Sequence, residues 1–196
     1  MPDCPECGAR LEMLVRGWPS YVQPGLYALV RTCWDCGFKR AAHQPLTFRA
    51  VSPADYTRLY IWRHAAAIET SGVAAAVGDR IPYASHIDWC DVTAREPRMW
   101  WQMAVIGPLD VGVIRYDIGQ MAPSVVHITV APPYRGEGVA SGMLRCSLPL
   151  VRAQYPDTQI IAHVKPGNAA SRGAFVRAGW QAQDIIYRPP DQEEGS

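Results

Sequence analysis

The sequence predicts an α/β domain preceded by a small Cys4 zinc-ribbon β-hairpin module, on three observations. Two C-x-x-C-G turns stand near the amino terminus. From residue 46 onward, short β-type runs alternate with longer helical stretches, punctuated by Gly and Pro. Of the 196 residues, 48% are apolar and 19% charged, a balance that fills a core and excludes a disordered or fibrous chain. Nineteen basic residues against eighteen acidic ones leave a net charge of +1, so no global field draws the chain to nucleic acid or anionic lipid. No apolar run reaches the ~18 residues of a membrane helix, and Met1-Pro-Asp-Cys4 has neither the basic start nor the apolar stretch of a signal peptide. The expected location is cytoplasmic, without a membrane partner, and there the six cysteines stay reduced unless a metal holds them. The expected division is a ribbon over 1–44, an α/β domain over 45–190 and a disordered tail over 191–196.

The ribbon rests on Cys4-Pro-Glu-Cys7-Gly8 and Cys33-Trp-Asp-Cys36-Gly37, with 25 residues between the pairs, somewhat more than the ~15–20 usual for a Cys4 zinc pattern. Each turn aims two thiolates at one ion, and a hairpin of strands over 11–16 and 26–31 brings the two turns face to face. Cys4, Cys7, Cys33 and Cys36 then supply the tetrahedral sulfur set of a structural zinc. A redox pair needs a surrounding βαβ unit, which the pattern lacks, and needs only one copy. The ribbon's role is read as scaffold or protein contact. Nucleic acid stays open as a partner, because Trp18, Tyr21, Tyr27, Trp34 and Phe38 offer stacking surfaces. Against it, residues 1–44 carry five basic groups to four acidic ones, and the thiolates add negative charge.

Ala41 to Pro45 reads as a linker and 46–51 as a strand. Ser52, Pro53 and Asp55 form a helix start with a capping box, and Tyr56, Leu59, Tyr60 and Trp62 mark the apolar face that follows. Residues 65–76 read as partly helical with a break at Gly72. Residues 79–98 show no period and read as loop with an undefined helix. Strands follow over 99–106, 110–116 and 124–130. Arg135-Gly-Glu-Gly138-Val-Ala140 then runs into a helix ending near Gln154. The remaining elements are a strand over 159–164, a helix over 168–178 and a last strand over 184–188. Cys146, Trp100 and Trp101 are read as packing residues, and Cys90 as packing or pocket lining.

The strand over 124–130, the loop Arg135 to Ala140 and the helix behind it resemble the pyrophosphate-binding segment of the GNAT superfamily of acyl-CoA-dependent N-acyltransferases. Such a loop turns successive backbone N–H groups toward one anion at the positive end of a helix. Asn168-Ala-Ala-Ser171-Arg-Gly-Ala-Phe175-Val-Arg-Ala-Gly179-Trp180 is similar to the family's later segment, and the resemblance covers 46 to about 188. It implies the GNAT fold, a mixed, splayed β-sheet flanked by helices, with acetyl-CoA as co-substrate in the opening. The backbone of Ile128 to Val130 would lie along the pantetheine, and the Val130 amide would polarise the thioester carbonyl. Arg135, Gly136, Glu137, Gly138, Val139 and Ala140 would hold the pyrophosphate. Asn168 and Ser171 would reach the pantetheine from the other side.

The reaction so implied is direct attack by a neutral amine, which needs a base and an acid. His127, sharing a strand face with Thr129, is the first candidate base, and its structural alternative is a histidine hydrogen-bonded within the sheet. His163 and Glu137 are weaker candidates. Many members use a later-helix Tyr as acid, but Phe175 stands at that position here. Tyr134, Tyr116 and Tyr187 are the substitutes, with Tyr134 also at a place where the family often has a structural aromatic. The function implied is an N-acetyltransferase acting on a primary amine, either a small molecule or a group on a protein or modified nucleic-acid base. The alternative is a non-catalytic acyl-CoA-binding or nucleic-acid-binding adaptor, supported by Phe175.

Overall fold

The computed structural model describes residues 3–10, 12–17, 25–37, 39–65 and 81–182. Seven strands lie across one sheet in chain order: β1 (Glu12–Gly17), β2 (Leu26–Thr32), β3 (Lys39–Ala50), β4 (Met99–Ile106), β5 (Leu109–Asp117), β6 (Ser124–Val130) and β7 (Ile160–Ile161). Neighbours from β1 to β6 pair antiparallel, and β6 pairs with β7 in parallel. The parallel pair is the one whose strands are joined by a crossover helix, α3 (Val139–Gln154), as parallel strands require. The other helices are α1 over residues 56–65, α2 (Tyr83–Arg95) and α4 (Ala169–Arg177).

β3 joins the amino-terminal hairpin to the rest of the sheet. Its first half pairs with β2 as far as Leu26↔Pro45, and its second half pairs with β4 from Leu46↔Ile106. The linker expected over Ala41 to Pro45 is therefore strand, and the expected boundary at 44/45 falls inside it. Ala-Ala-His-Gln-Pro has no apolar alternation to betray a strand, because residues 41–43 and Pro45 are exposed. The hairpin is not a separate core. Val15, Tyr27 and Leu29 are buried in the same cluster as Ile106, Ile114, Val139 and Met143.

That main cluster lies between the sheet and α3 and α4, and includes Tyr116, Val126, Leu144 and Phe175. A second cluster lies on the opposite sheet face, where Tyr56, Leu59 and Trp62 of α1 and Cys90 of α2 meet Trp101 and Met103. The apolar period read at Tyr56, Leu59 and Trp62 thus marks the buried face of α1. α2 replaces most of the expected loop over 79–98. Its buried residues, His86, Cys90 and Thr93, keep helical spacing but are polar or ambiguous, so a hydrophobic period could not reveal them. β7 is shorter than the strand expected over 159–164, because only Ile160 and Ile161 stay beside β6.

Asp55 ties β3 to the start of α1. Its carboxylate accepts from the Ser52 N–H at 2.9 Å and from two Arg49 guanidinium nitrogens at 2.8 and 2.7 Å, while Arg49 also reaches Asp110 of β5. The expected strand over 184–188, the helical reading over 66–76 and the tail over 191–196 lie outside the described residues. Among the described residues no helix is long and apolar enough to cross a membrane.

Candidate active site and cysteine cluster

The two C-x-x-C-G turns close in the same way. Gly8 N–H donates to the Cys4 carbonyl at 2.8 Å and Gly37 N–H to the Cys33 carbonyl at 3.0 Å, and both glycines sit at φ +75°. That left-handed conformation explains why glycine follows each second cysteine. The four Sγ atoms lie within 4.8 Å of one another, with Cys4···Cys36 at 3.6 Å and Cys7···Cys33 at 3.5 Å. A disulfide holds its sulfurs at about 2.05 Å, and none of the six cysteines is in a disulfide. A tetrahedral ion with bonds of about 2.3 Å sets its sulfurs about 3.8 Å apart. The donor set and its spacing therefore suit a closed four-thiolate metal site.

At the other end of the sheet β6 and β7 diverge. They pair over Ser124↔Ile160 and Val125↔Ile161, and among the described residues no ladder continues along Val126 to Val130 on that side. Strand alternation says which amides face the gap. Ser124 N–H points to the β7 side, donating to Gln159 O, whereas Ala131 N–H points to β5, donating to Val111 O. The N–H groups of Val126, Ile128 and Val130 share the direction of Ser124. Arg135 donates from Nε to the Val130 carbonyl at 3.1 Å, closing the far end of this edge.

Beyond it the chain makes a short 3-10 turn, Pro132–Tyr134, and enters the glycine loop. Gly136 sits at φ +80° and Gly138 at φ +73°, the latter as the N-cap of α3. A Cβ built on either glycine meets no atom within 4 Å, so internal packing does not demand glycine there. The open space lies at a helix N-terminus whose first N–H groups have no intrahelical acceptor. Such a cradle fits an anionic group. Asn168 caps α4, its Oδ1 accepting the Ser171 N–H at 2.9 Å, so one side-chain group is engaged in starting that helix.

His127 lies on the α1/α2 face of β6, directly opposite Arg115 of β5. Its Nε2 is 3.2 Å from Asp117 Oδ2. Arg115 grips the same carboxylate through Nε at 2.6 Å and a terminal nitrogen at 3.0 Å, and its guanidinium stacks 5.0 Å from the Trp89 ring of α2. Burial lowers the His127 pKa below the ordinary histidine value, Arg115 lowers it further, Asp117 opposes both, and His163 adds to the lowering. The ring is thus neutral at pH 7, about half exposed (51%), and able to accept a proton.

The tyrosine candidates separate. Tyr116 is fully buried and bonded to Ser147 Oγ at 2.8 Å, so it is a core residue rather than a reachable acid. Tyr134 is half-buried after β6, and burial first, then Asp110, raises its pKa against the pull of Arg58. The charged groups that act on Tyr134 are Asp110 of β5 and Arg58 of α1, whereas those that act on His127 are Arg115 and Asp117 of β5 and His163, so the two share no charged neighbour. Tyr187 is outside the described residues. Phe175 is buried edge-on against Trp180, with centroids 5.1 Å apart, and Cys90 is fully buried packing.

This architecture has known counterparts. Residues 45–181 match the acetyltransferase (GNAT) domain family.

The chain belongs to the GNAT acetyltransferase family.

The match begins within β3, after the cysteine hairpin. Solved structures agree in fold. Aminoglycoside acetyltransferase AAC(6')-Ib in complex with coenzyme A and kanamycin has a TM-score of 0.57 at 17% identity, over 70% of this chain and 85% of its own. A predicted acetyltransferase with acetyl-CoA from Clostridium acetobutylicum gives 0.56 at 14% identity, over 74% and 95%. A spermidine N-acetyltransferase SpeG chimera from Vibrio cholerae and hSSAT gives 0.57 at 14%, over 68% and 78%. No curated protein sequence matches the chain.

Within the GNAT domain, sequence reasoning named His127 but missed Asp117 and Arg115. Their pairing with His127 depends on the β5–β6 register, which leaves no mark in either strand alone. It read Tyr27 of the hairpin as a stacking surface, whereas that ring is buried in the core, and it gave Arg16 no role beyond its charge. Tyr27 donates to the Gly138 carbonyl at 3.1 Å, and Arg16 pairs with Glu137 at 2.5 Å.

Proposed function

We propose that this enzyme transfers an acetyl group from acetyl-CoA to a primary amine, and that its four clustered cysteines hold one structural zinc. The observation that carries the first reading is the unladdered edge of β6 leading into a two-glycine turn at the start of α3, within a GNAT domain. Ile128 and Val130 would offer their amides to the pantetheine arm. The loop Arg135 to Ala140 would hold the pyrophosphate, in the space left at Gly136 and Gly138. Asn168 and Ser171 would close the pantetheine from the α4 side. Bound acetyl-CoA supplies an acyl thioester, and the Val130 N–H faces the side on which its carbonyl oxygen would lie.

His127 acts as general base, taking a proton from the acceptor ammonium so that the free amine can attack. Asp117 orients the imidazole and compensates its positive charge, and Arg115 holds Asp117 in place. Tyr134 stands nearest the far end of β6 and serves as acid for the departing thiolate, its phenol kept protonated by burial.

Solved relatives of the same fold hold kanamycin or are named for spermidine, which supports a small free amine as acceptor. The net charge of +1 supports the same choice over nucleic acid. Thiolate metal ligands and acetyl-CoA both suit a reducing cytoplasm. Two experiments test these readings. Gly138→Glu puts a side chain and a negative charge into the loop and is expected to abolish acetyl-CoA binding by calorimetry with an unchanged circular dichroism spectrum; unaltered affinity sinks the assignment. Radiolabelled acetyl-CoA added to a lysate is expected to mark the small-molecule fraction, whereas label on protein or nucleic acid transfers the acceptor to that polymer.

A further inference from the structure

The cysteine hairpin touches the glycine loop at two adjacent residues, from two different strands. Tyr27 of β2 is buried, with 4% of its surface exposed, and desolvation keeps its phenol protonated. Its hydroxyl donates to the Gly138 carbonyl at 3.1 Å, which also accepts the Gly142 N–H at 3.0 Å as the first hydrogen bond of α3. That carbonyl belongs to the peptide unit whose N–H is Val139. Because a trans peptide is planar with its C=O and N–H opposed, fixing the carbonyl from the hairpin side fixes the Val139 N–H toward the loop mouth. Tyr27 also leaves its mark on α3. A Cβ on Gly142 would fall 2.0 Å from the Tyr27 oxygen and 3.1 Å from its ring carbon Cζ, so glycine is needed there to admit the phenol. One residue earlier in the loop, Arg16 of β1 pairs with Glu137 at 2.5 Å. Glu137 is the one acidic residue between Arg135 and Ala140, and its charge opposes any anion held there.

We propose that Tyr27 and Arg16 are positioning residues for the acyl-CoA pyrophosphate: Tyr27 orients the 138–139 peptide, and Arg16 neutralises and draws aside Glu137. The hairpin is thereby a structural part of the co-substrate site and not an appended module. This rests on the reading of Arg135 to Ala140 as the pyrophosphate loop, and the experiment separates the two. Binding of CoA and of pantetheine, which lacks the pyrophosphate, is measured by calorimetry for the wild type, Tyr27→Phe, Arg16→Gln and Gly138→Glu. Tyr27→Phe keeps the buried ring and removes one hydroxyl, so CoA affinity is expected to fall about fivefold, the worth of one neutral hydrogen bond. Pantetheine affinity is expected to stay unchanged. Arg16→Gln is expected to weaken CoA alone, and added salt is expected to shrink its difference from the wild type. An equal fall for both ligands in Tyr27→Phe marks a general structural role and overturns the proposal. So does unchanged CoA affinity in Tyr27→Phe and Arg16→Gln while Gly138→Glu abolishes binding. If Gly138→Glu itself binds CoA normally, the loop reading fails and the positioning role fails with it.

Discussion

Replacing Asp55 by Asn removes one charge from the junction that seats α1. The carboxylate side chain is 5% exposed, and it takes two guanidinium bonds from Arg49 together with the Ser52 N–H and hydroxyl. Asparagine offers one acceptor oxygen and turns an NH2 donor toward groups that are themselves donors. The Arg49 guanidinium, with help from Ser52 and against the cost of burial, holds the Asp55 pKa at about 2 instead of 3.8. That difference corresponds to ~2.5 kcal/mol of folding free energy at neutral pH. Arg49 is 40% exposed, and water screens part of the attraction, leaving about 1.5–2 kcal/mol. At roughly 2–4 °C per kcal/mol for a chain of this size, the Asn variant is expected to melt about 3–8 °C below wild type at pH 7. The folded carboxyl titrates below the unfolded one, so its contribution is present above pH 3.8 and is lost as the pH falls through about 2. Thermal unfolding followed by circular dichroism from pH 7 down to pH 2 is therefore expected to show the two melting curves converging at the acid end. Equal melting temperatures at pH 7, or a gap undiminished at pH 2, refute the reasoning.

The remaining expectations concern the sites themselves. His127→Gln is expected to cost ~10²–10⁴ in kcat, the range of a positioned base, and a loss below threefold removes it from the mechanism. In the wild type kcat/KM is expected to rise with pH through an inflection below 6.5, because burial and Arg115 favour the neutral ring. Asp117→Asn removes the group that favours the charged ring, so the inflection is expected to move lower still; a shift upward contradicts the assigned pairing. For the cysteine cluster, metal analysis is expected to return one zinc per chain, lost in the Cys33→Ser, Cys36→Ser double variant together with a lower melting temperature. Iron in place of zinc, or a metal-free protein with unchanged melting, removes the zinc assignment.

The parts legible in the sequence are those whose physics is local. A C-x-x-C-G turn needs its two sulfurs and one left-handed glycine within five residues, so Cys4 to Gly8 and Cys33 to Gly37 could be read directly. The strands over 99–106 and 124–130 carry runs of β-branched and aromatic residues and appear with those bounds. The loop from Arg135 to Ala140 is a single turn at a helix start, fixed by glycines at 136 and 138. α2 escaped because the side it buries is made of His86, Cys90 and Thr93, whose burial depends on partners from α1 and β4 rather than on their own hydrophobicity. The first half of β3 escaped because its ladder to β2 is held by backbone groups while its side chains face water.

Sequence alone determined the family resemblance, the four-cysteine set and the glycine loop at the start of α3, since each depends on residues adjacent in the chain. Tertiary structure decided the rest. The β5–β6 register set Asp117 and Arg115 beside His127, removing Tyr116 into the core and leaving Tyr134 at the other end of the strand. The continuous β3 laid the cysteine hairpin against the start of α3, where Tyr27 meets Gly138 and Gly142 across more than a hundred residues. Contacts of that kind arise from strand register and helix packing, which are properties of the folded sheet and not of any one segment.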